Sequence, residues 1–371
     1  MTGMNRPGAG SVERTAAAGV DWDRALRLAR AGTPAGPHLP GAVRRGVVAL
    51  LRRSADDALP WAAQLTGLTA PARVAADTTE VLVVDRVGLQ RANAAFLRAL
   101  MERVPDPSGP RPGPSEAVGR AVVSPAVAGL LGLISTRVLG QVLPAGAGDR
   151  GARMLLVAPN VVELQRLRDL DRIDLSAWVA LHEATHVLQL AAAPWLTAHL
   201  TTQVEQVATA LMRPPAPGEP AGLARLARAV RAGATARRGA PGGAGAPSPL
   251  LTDRLGAAER EQLAAITATM ALLEGHAEAV LDAVEPSRMP SVYRLRAVLG
   301  HSRDGVAGTL LERLLCVEAK QTQYVDGAAF VRGVVGRVGQ AGLNAVWREP
   351  ANLPRPEEIG RPEAWIERMG L

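Results

Sequence analysis

Residues 177–196 read AWVALHEATHVLQLAAAPWL, an apolar run with His182, Glu183 and His186 at its middle. On a helix, residues four apart lie one turn apart on the same face, separated by about 6 Å of rise. That spacing lets both imidazoles reach one zinc ion at about 2.0–2.1 Å. Glu183 is offset by one position and falls beside such an ion, where it can take a proton from an activated water. The surrounding Trp178, Val179, Ala180, Leu181, Ala184, Val187, Leu188 and Leu190 make the helix apolar on all sides. A helix of that kind is buried, and buried imidazoles and carboxylates need partners. A metal would satisfy the histidines; two core histidines bonded to backbone carbonyls are the plainer alternative. Thr185 and Gln189 also need hydrogen bonds that the sequence does not assign.

Zinc needs a third protein ligand. The metzincin extension is absent, because Gln189 and Ala192 stand at its Gly and His positions. His199 lies past the helix break expected at Pro194. The better candidate is Glu274 in LLEGHAEA, on a second helix expected over about 256–285. Gluzincins supply a Glu from a following helix, and EGHA resembles their Glu-Gly-aromatic-Ala stretch. Glu278, one turn on, could accept a hydrogen bond from a ligating histidine. His276 could stabilise an oxyanion or belong to a local network. The 87 residues between His186 and Glu274 exceed the usual gluzincin gap. A Gly/Pro-rich insert at about 213–250 accounts for part of the excess, since long surface insertions cost little.

The elements that would carry these residues follow from composition and pattern. Ala, Val and Leu dominate, aromatics make up 3%, and 38 Gly and 28 Pro punctuate 371 residues. This favours a mainly α protein with a small β-sheet. Helices are expected over 20–32, over 41–65 with a break at Pro60, over 89–104 and over 126–143. EVLVVDR (80–86) and RMLLVAPN (153–160, stopped by Pro159) read as strands. Asp174 or Ser176 is the expected cap of the motif helix. Residues 1–20 read as a flexible tail and 105–117 as a loop; 21–371 are expected to form a single domain.

The formal charge of +7 is thinly spread and lacks interleaved aromatics, which argues against a nucleic-acid partner. The single cysteine, Cys316, and the N-terminus without an apolar core fit a cytoplasmic chain with no disulfides. The apolar runs are too short to span a bilayer. Oligomeric state is not legible.

Ordered stretches across the chain resemble an actinobacterial zincin-like family labelled zinc-dependent metalloprotease, one branch of which is named for association with deazaflavin coenzyme biosynthesis. They include VDW (20–22), VVDR with Asn93 downstream, RVLGQ (137–141), LLVAPN (155–160), WVALHEATHVLQ (178–189) and PWL (194–196). EGHAE (274–278), KQTQYVDGAAF (320–330) and a VW…LP…EI…P…W series from Val346 to Trp365 complete them. Leu89 and Val142-Leu143 depart from the family pattern, which bears on packing rather than on metal. The resemblance implies a zincin-like, gluzincin-type fold with Zn2+ on His182, His186 and Glu274, and Glu183 as base. It also draws attention to Tyr324 as an oxyanion donor, the alternative being a tyrosine bonded to backbone. The expected activity is hydrolysis of a peptide or small amide. The competing reading is a zincin-like protein without proteolysis, serving coenzyme metabolism as a binding or structural zinc protein.

Overall fold

The computed structural model describes residues 19–104, 114–144, 151–212, 256–300 and 327–371. Helices α1 (Trp22–Ala31), α2 (Gly41–Thr66) and α3 (Thr69–Thr78) lead into strand β1 (Thr79–Val84). Then come α4 (Arg86–Met101), α5 (Pro114–Arg137), β2 (Gly140–Pro144), β3 (Ala152–Val157) and α6 (Ala158–Arg168). The motif helix α7 (Arg172–Ala192) is followed by α8 (Leu196–Met212), α9 (Ala257–Asp282) and the single turn α10 (Val292–Leu295). Two helices, α11 (Gly327–Leu343) and α12 (Pro362–Met369), close the chain. The described residues are thus mostly helical with one small sheet. None of their helices is long and apolar enough to cross a membrane.

The sheet order is β1-β3-β2. β1 runs parallel to β3 in register from Thr79–Ala152 to Val84–Val157, and β2 runs antiparallel to it from Gly140–Leu156 to Pro144–Ala152. Alternate residues of β3 serve different cores. Met154 and Leu156 join the larger core with α2, α7 and α9, while Leu155 and Val157 join a second core with α1, α4 and α5. Burial on both faces is why RMLLV shows no polar alternation. α7 packs against α2, α9, β2 and β3, so the apolar face all round predicted for it has a structural cause.

Several expectations are corrected. α2 runs through Pro60 without interruption, with Leu51, Ala55, Ala58 and Ala62 buried along it. Packing of that face offsets the hydrogen bond a proline removes. The helix expected over 126–143 ends at Arg137, and Gly140–Pro144 form a strand because β3 offers them a ladder. Residues 114–117 belong to α5 rather than to a loop. Pro159 sits in the first turn of α6, where its missing N–H costs nothing. The cap of α7 is Asp171, whose carboxylate accepts from the Ile173 and Asp174 amides at 2.8 and 2.9 Å. Asp174 instead accepts from Ser291 N and Oγ, both at 2.7 Å, and Ser176 bonds back to the Arg172 carbonyl. Leu89 and Leu143, two of the departures from the family pattern, are buried in the second core.

Candidate metal centre

The capped start of α7 and its apolar flanks bring His182 and His186 to the α7–α9 interface, where Glu274 meets them. His182 Nε2 lies 3.2 Å from His186 Nε2. The two Glu274 carboxylate oxygens lie 3.5 Å away, one from each of these nitrogens. One ligand atom from each of the three residues falls within 4.8 Å of the others, and His182 is buried while the other two are nearly so. Two imidazole nitrogens bound tetrahedrally to one zinc stand about 3.3 Å apart, so this donor set fits the ion.

The tautomer of His186 also fits. Gln189, one turn further along α7, donates from Nε2 to the Leu273 carbonyl at 2.9 Å, which fixes which end of its amide is which. Its Oε1 is therefore the atom 2.9 Å from His186 Nδ1, and it accepts the proton carried there. His186 consequently presents a bare Nε2 to the site. Burial keeps both imidazoles neutral. It lowers the His182 pKa to about 4; it also lowers that of His186, with help from His182 and against the pull of Glu274 and the Gln189 hydrogen bond. Two neutral imidazoles, His186 with its lone pair turned inward, beside a carboxylate suit a cation.

Glu183 is buried beside this cluster. Burial first, and the Glu274 charge second, push its carboxyl pKa well above the usual value. Its side chain lies flat against Gly140 at the start of β2. A Cβ on Gly140 would stand 2.5 Å from Glu183 Cγ and 2.6 Å from Oε1, closer than real contacts allow. Only glycine leaves room there. β2 is anchored next to that residue by a reciprocal amide pair: Asn93 Nδ2 donates to Gln141 Oε1 at 2.9 Å, and Gln141 Nε2 donates to Asn93 Oδ1 at 3.0 Å. On the far side of the same strand end, Asn160 Nδ2 donates to the Ser135 and Val138 carbonyls while its Oδ1 accepts from buried Arg86.

The other sequence candidates separate. His276 is fully buried, and its Nδ1 accepts from Gln189 Nε2 at 3.1 Å. It stands behind His186, on the Nδ1 side of that ring, with its own ring 5.4 Å from that of Trp347. Burial and the neighbouring His186 lower its pKa to about 3. In that position it takes part in a local hydrogen-bond network with Gln189, the second of the two readings considered for it. Glu278 is exposed, and the partner of His186 Nδ1 is Gln189, not Glu278. Tyr324 lies outside the described residues. Gly140 was missed as a site residue although it sits in RVLGQ, because the stretch read as helix. Gln189 announced itself only as a polar residue in need of a bond.

Two comparisons place the chain among known proteins. A crystal structure from Chloroflexus aurantiacus, of a protein described as a provisional hydrolase with a novel fold, superposes with a TM-score of 0.62 at 23% identity. The match covers 95% of this chain and 99% of that one, and at such identity it speaks for the fold alone. No curated protein matches the chain. A family model described as zincin-like metallopeptidase matches residues 20–366, a span that takes in the sheet and both helices of the candidate site. By that match the chain belongs to the zincin-like metallopeptidase family.

Proposed function

We propose that the protein is a zinc-dependent peptidase or related amide hydrolase of gluzincin type, with His182, His186 and Glu274 holding the ion and Glu183 acting as general base. The observation that carries this is the convergence of two imidazole Nε2 atoms and a carboxylate within 4.8 Å, beside a buried Glu183. When bound, zinc supplies Lewis acidity, polarising a carbonyl and making water acidic enough to ionise near neutral pH.

The chain's own groups supply the rest. Glu183 takes the water's proton on its carboxylate and later delivers it to the departing amine nitrogen. The Gly140 seat holds that carboxylate in place, and Gln189 holds His186. The apolar surround of α7 excludes bulk water, which strengthens every electrostatic contact inside. β3 is the central strand and has both sides occupied. β2 is the edge strand on the Glu183 side, and among the described residues no strand pairs with its outer edge. That edge suits an extended peptide adding by strand pairing. A purely structural zinc site has no use for a buried carboxylate beside its ligands, which disfavours the non-catalytic reading.

The test compares parent and Glu183→Gln protein against a peptide library after zinc reconstitution. The variant should keep about one zinc per chain, lost in His182→Ala, while turnover drops by about 10²–10⁴-fold. Equal turnover in variant and parent rules out Glu183 as base, and a parent that takes up no zinc rules out the metal reading.

A further inference from the structure

Gln189 touches both halves of the metal centre. Its Oε1 accepts from His186 on α7, and its Nε2 donates to the Leu273 carbonyl and to His276 Nδ1 on α9. Those two α9 acceptors bracket Glu274, one residue before it and two after it. The side chain is 1% exposed, so its three bonds exchange with no solvent.

His276 shows that the arrangement is not incidental to packing. Because Nδ1 accepts, the ring proton sits on Nε2, which is buried and has no hydrogen-bond partner among the described residues. A buried donor left unsatisfied is costly, and an apolar side chain of similar shape would avoid that cost. What the imidazole contributes in exchange is the acceptor at Nδ1. Together with the Leu273 carbonyl, it occupies both N–H groups of the Gln189 amide. The amide then has one orientation, and only its oxygen remains to face His186.

We propose that Gln189 is a positioning residue for the metal centre, locked by His276 and the Leu273 carbonyl. It selects the His186 tautomer that leaves Nε2 bare and fixes the register of Glu274 against His186. The consequence for zinc affinity rests on the reading of His182, His186 and Glu274 as ligands. The tautomer consequence does not.

Two measurements test it. Nitrogen-15 NMR of histidine-labelled, metal-free parent protein should show His186 protonated on Nδ1 and His276 on Nε2. A proton on His186 Nε2 overturns the proposal whether or not the protein binds zinc. In competition with a chromophoric chelator, Gln189→Leu and His276→Leu should each bind zinc about 10–100-fold more weakly than parent. His276→Asn, whose side-chain oxygen can stand in for Nδ1, should recover most of that loss. A merely structural role predicts the opposite pattern: affinity within twofold of parent in all three variants, with only thermal stability altered, and that result overturns the proposal. A parent that binds no zinc but shows the expected tautomers removes the metal reading and leaves the tautomer lock standing.

Discussion

At the scale of single residues, the chemistry rests on atoms held apart as much as on atoms brought together. Gly140 contributes by having no side chain, because a methyl group there would occupy the space of the Glu183 carboxylate. Gly140→Ala should therefore displace the base by a fraction of an ångström to an ångström. Misplacement on that scale costs on the order of 10²-fold in turnover. Zinc content should stay at the parent level, since His182, His186 and Glu274 are not in that contact. Steady-state kinetics paired with metal analysis separates the outcomes, and loss of both together would assign Gly140 to folding instead. HEATH was readable from spacing because helical periodicity links residues four apart on one chain, whereas Glu274 was reached only through the resemblance of EGHA to a gluzincin stretch. Gly140 was not readable, because its neighbour Glu183 is 43 positions away and only the sheet brings them together.

At the scale of elements, two helices carry the proposed ligands and a short strand carries the seat of the proposed base. The long helices were legible because α1, α7 and α9 have strong local signals: a capping Asp21, an unbroken apolar run, and a clear stretch between Gly256 and Asp282. β2 was illegible because five residues flanking Gly140 have no pattern of their own and become a strand only by pairing with β3. Pro60 misled for a related reason, since α2 packs along α7 and that contact outweighs local propensity. The placement of Glu274 and Glu278 on α9 gives an element-level prediction. Glu274→Ala should weaken zinc binding by more than the ~10–100-fold typical of outer partners, whereas exposed Glu278→Ala should shift it by less than about threefold. Chelator competition on the two variants checks this, and the reverse order would exchange their roles.

At the scale of the whole molecule, the buried titratable groups give the metal-free protein a distinctive pH response. Burial lowers His182 to about 4 and His276 to about 3, and lowers His186 as well. The unfolded chain protonates its histidines near 6.5. The stability these neutral rings confer is thus present above pH 6.5 and lost as pH falls toward 4. Glu183 acts in the opposite sense, because its folded pKa is raised from 4.5. Its ionisation in the unfolded chain destabilises the fold increasingly as pH rises above 4.5. Metal-free Glu183→Gln should therefore melt higher than parent at pH 7–8, with the difference vanishing below about pH 4.5. Scanning calorimetry across pH reads both trends, and a difference that does not vary with pH would contradict the burial of an ionisable Glu183. Zinc at a hundredfold excess over its dissociation constant should add about 2.7 kcal/mol to the parent.

The C-terminal series that resembled the family pattern is fastened by Trp365, which is fully buried against Phe330 with Nε1 bonded to the Asn352 carbonyl. Burial alone would raise Glu358, but hydrogen bonds from Arg368 and the Arg355 amide outweigh it and hold its carboxyl below the usual value. The central strand has a wider effect. With its side chains alternating between two cores, β3 is a party wall, and β2 hangs on it with Leu143 on the far side and Leu139, just before Gly140, on the near one. The rest position of Glu183, the proposed proton acceptor, is therefore set from behind the wall as well as from α7. Trimming Leu143 to Ala, which touches no ligand, should slow turnover while leaving zinc in place. The side of the sheet turned away from the candidate site thereby constrains the side that faces it.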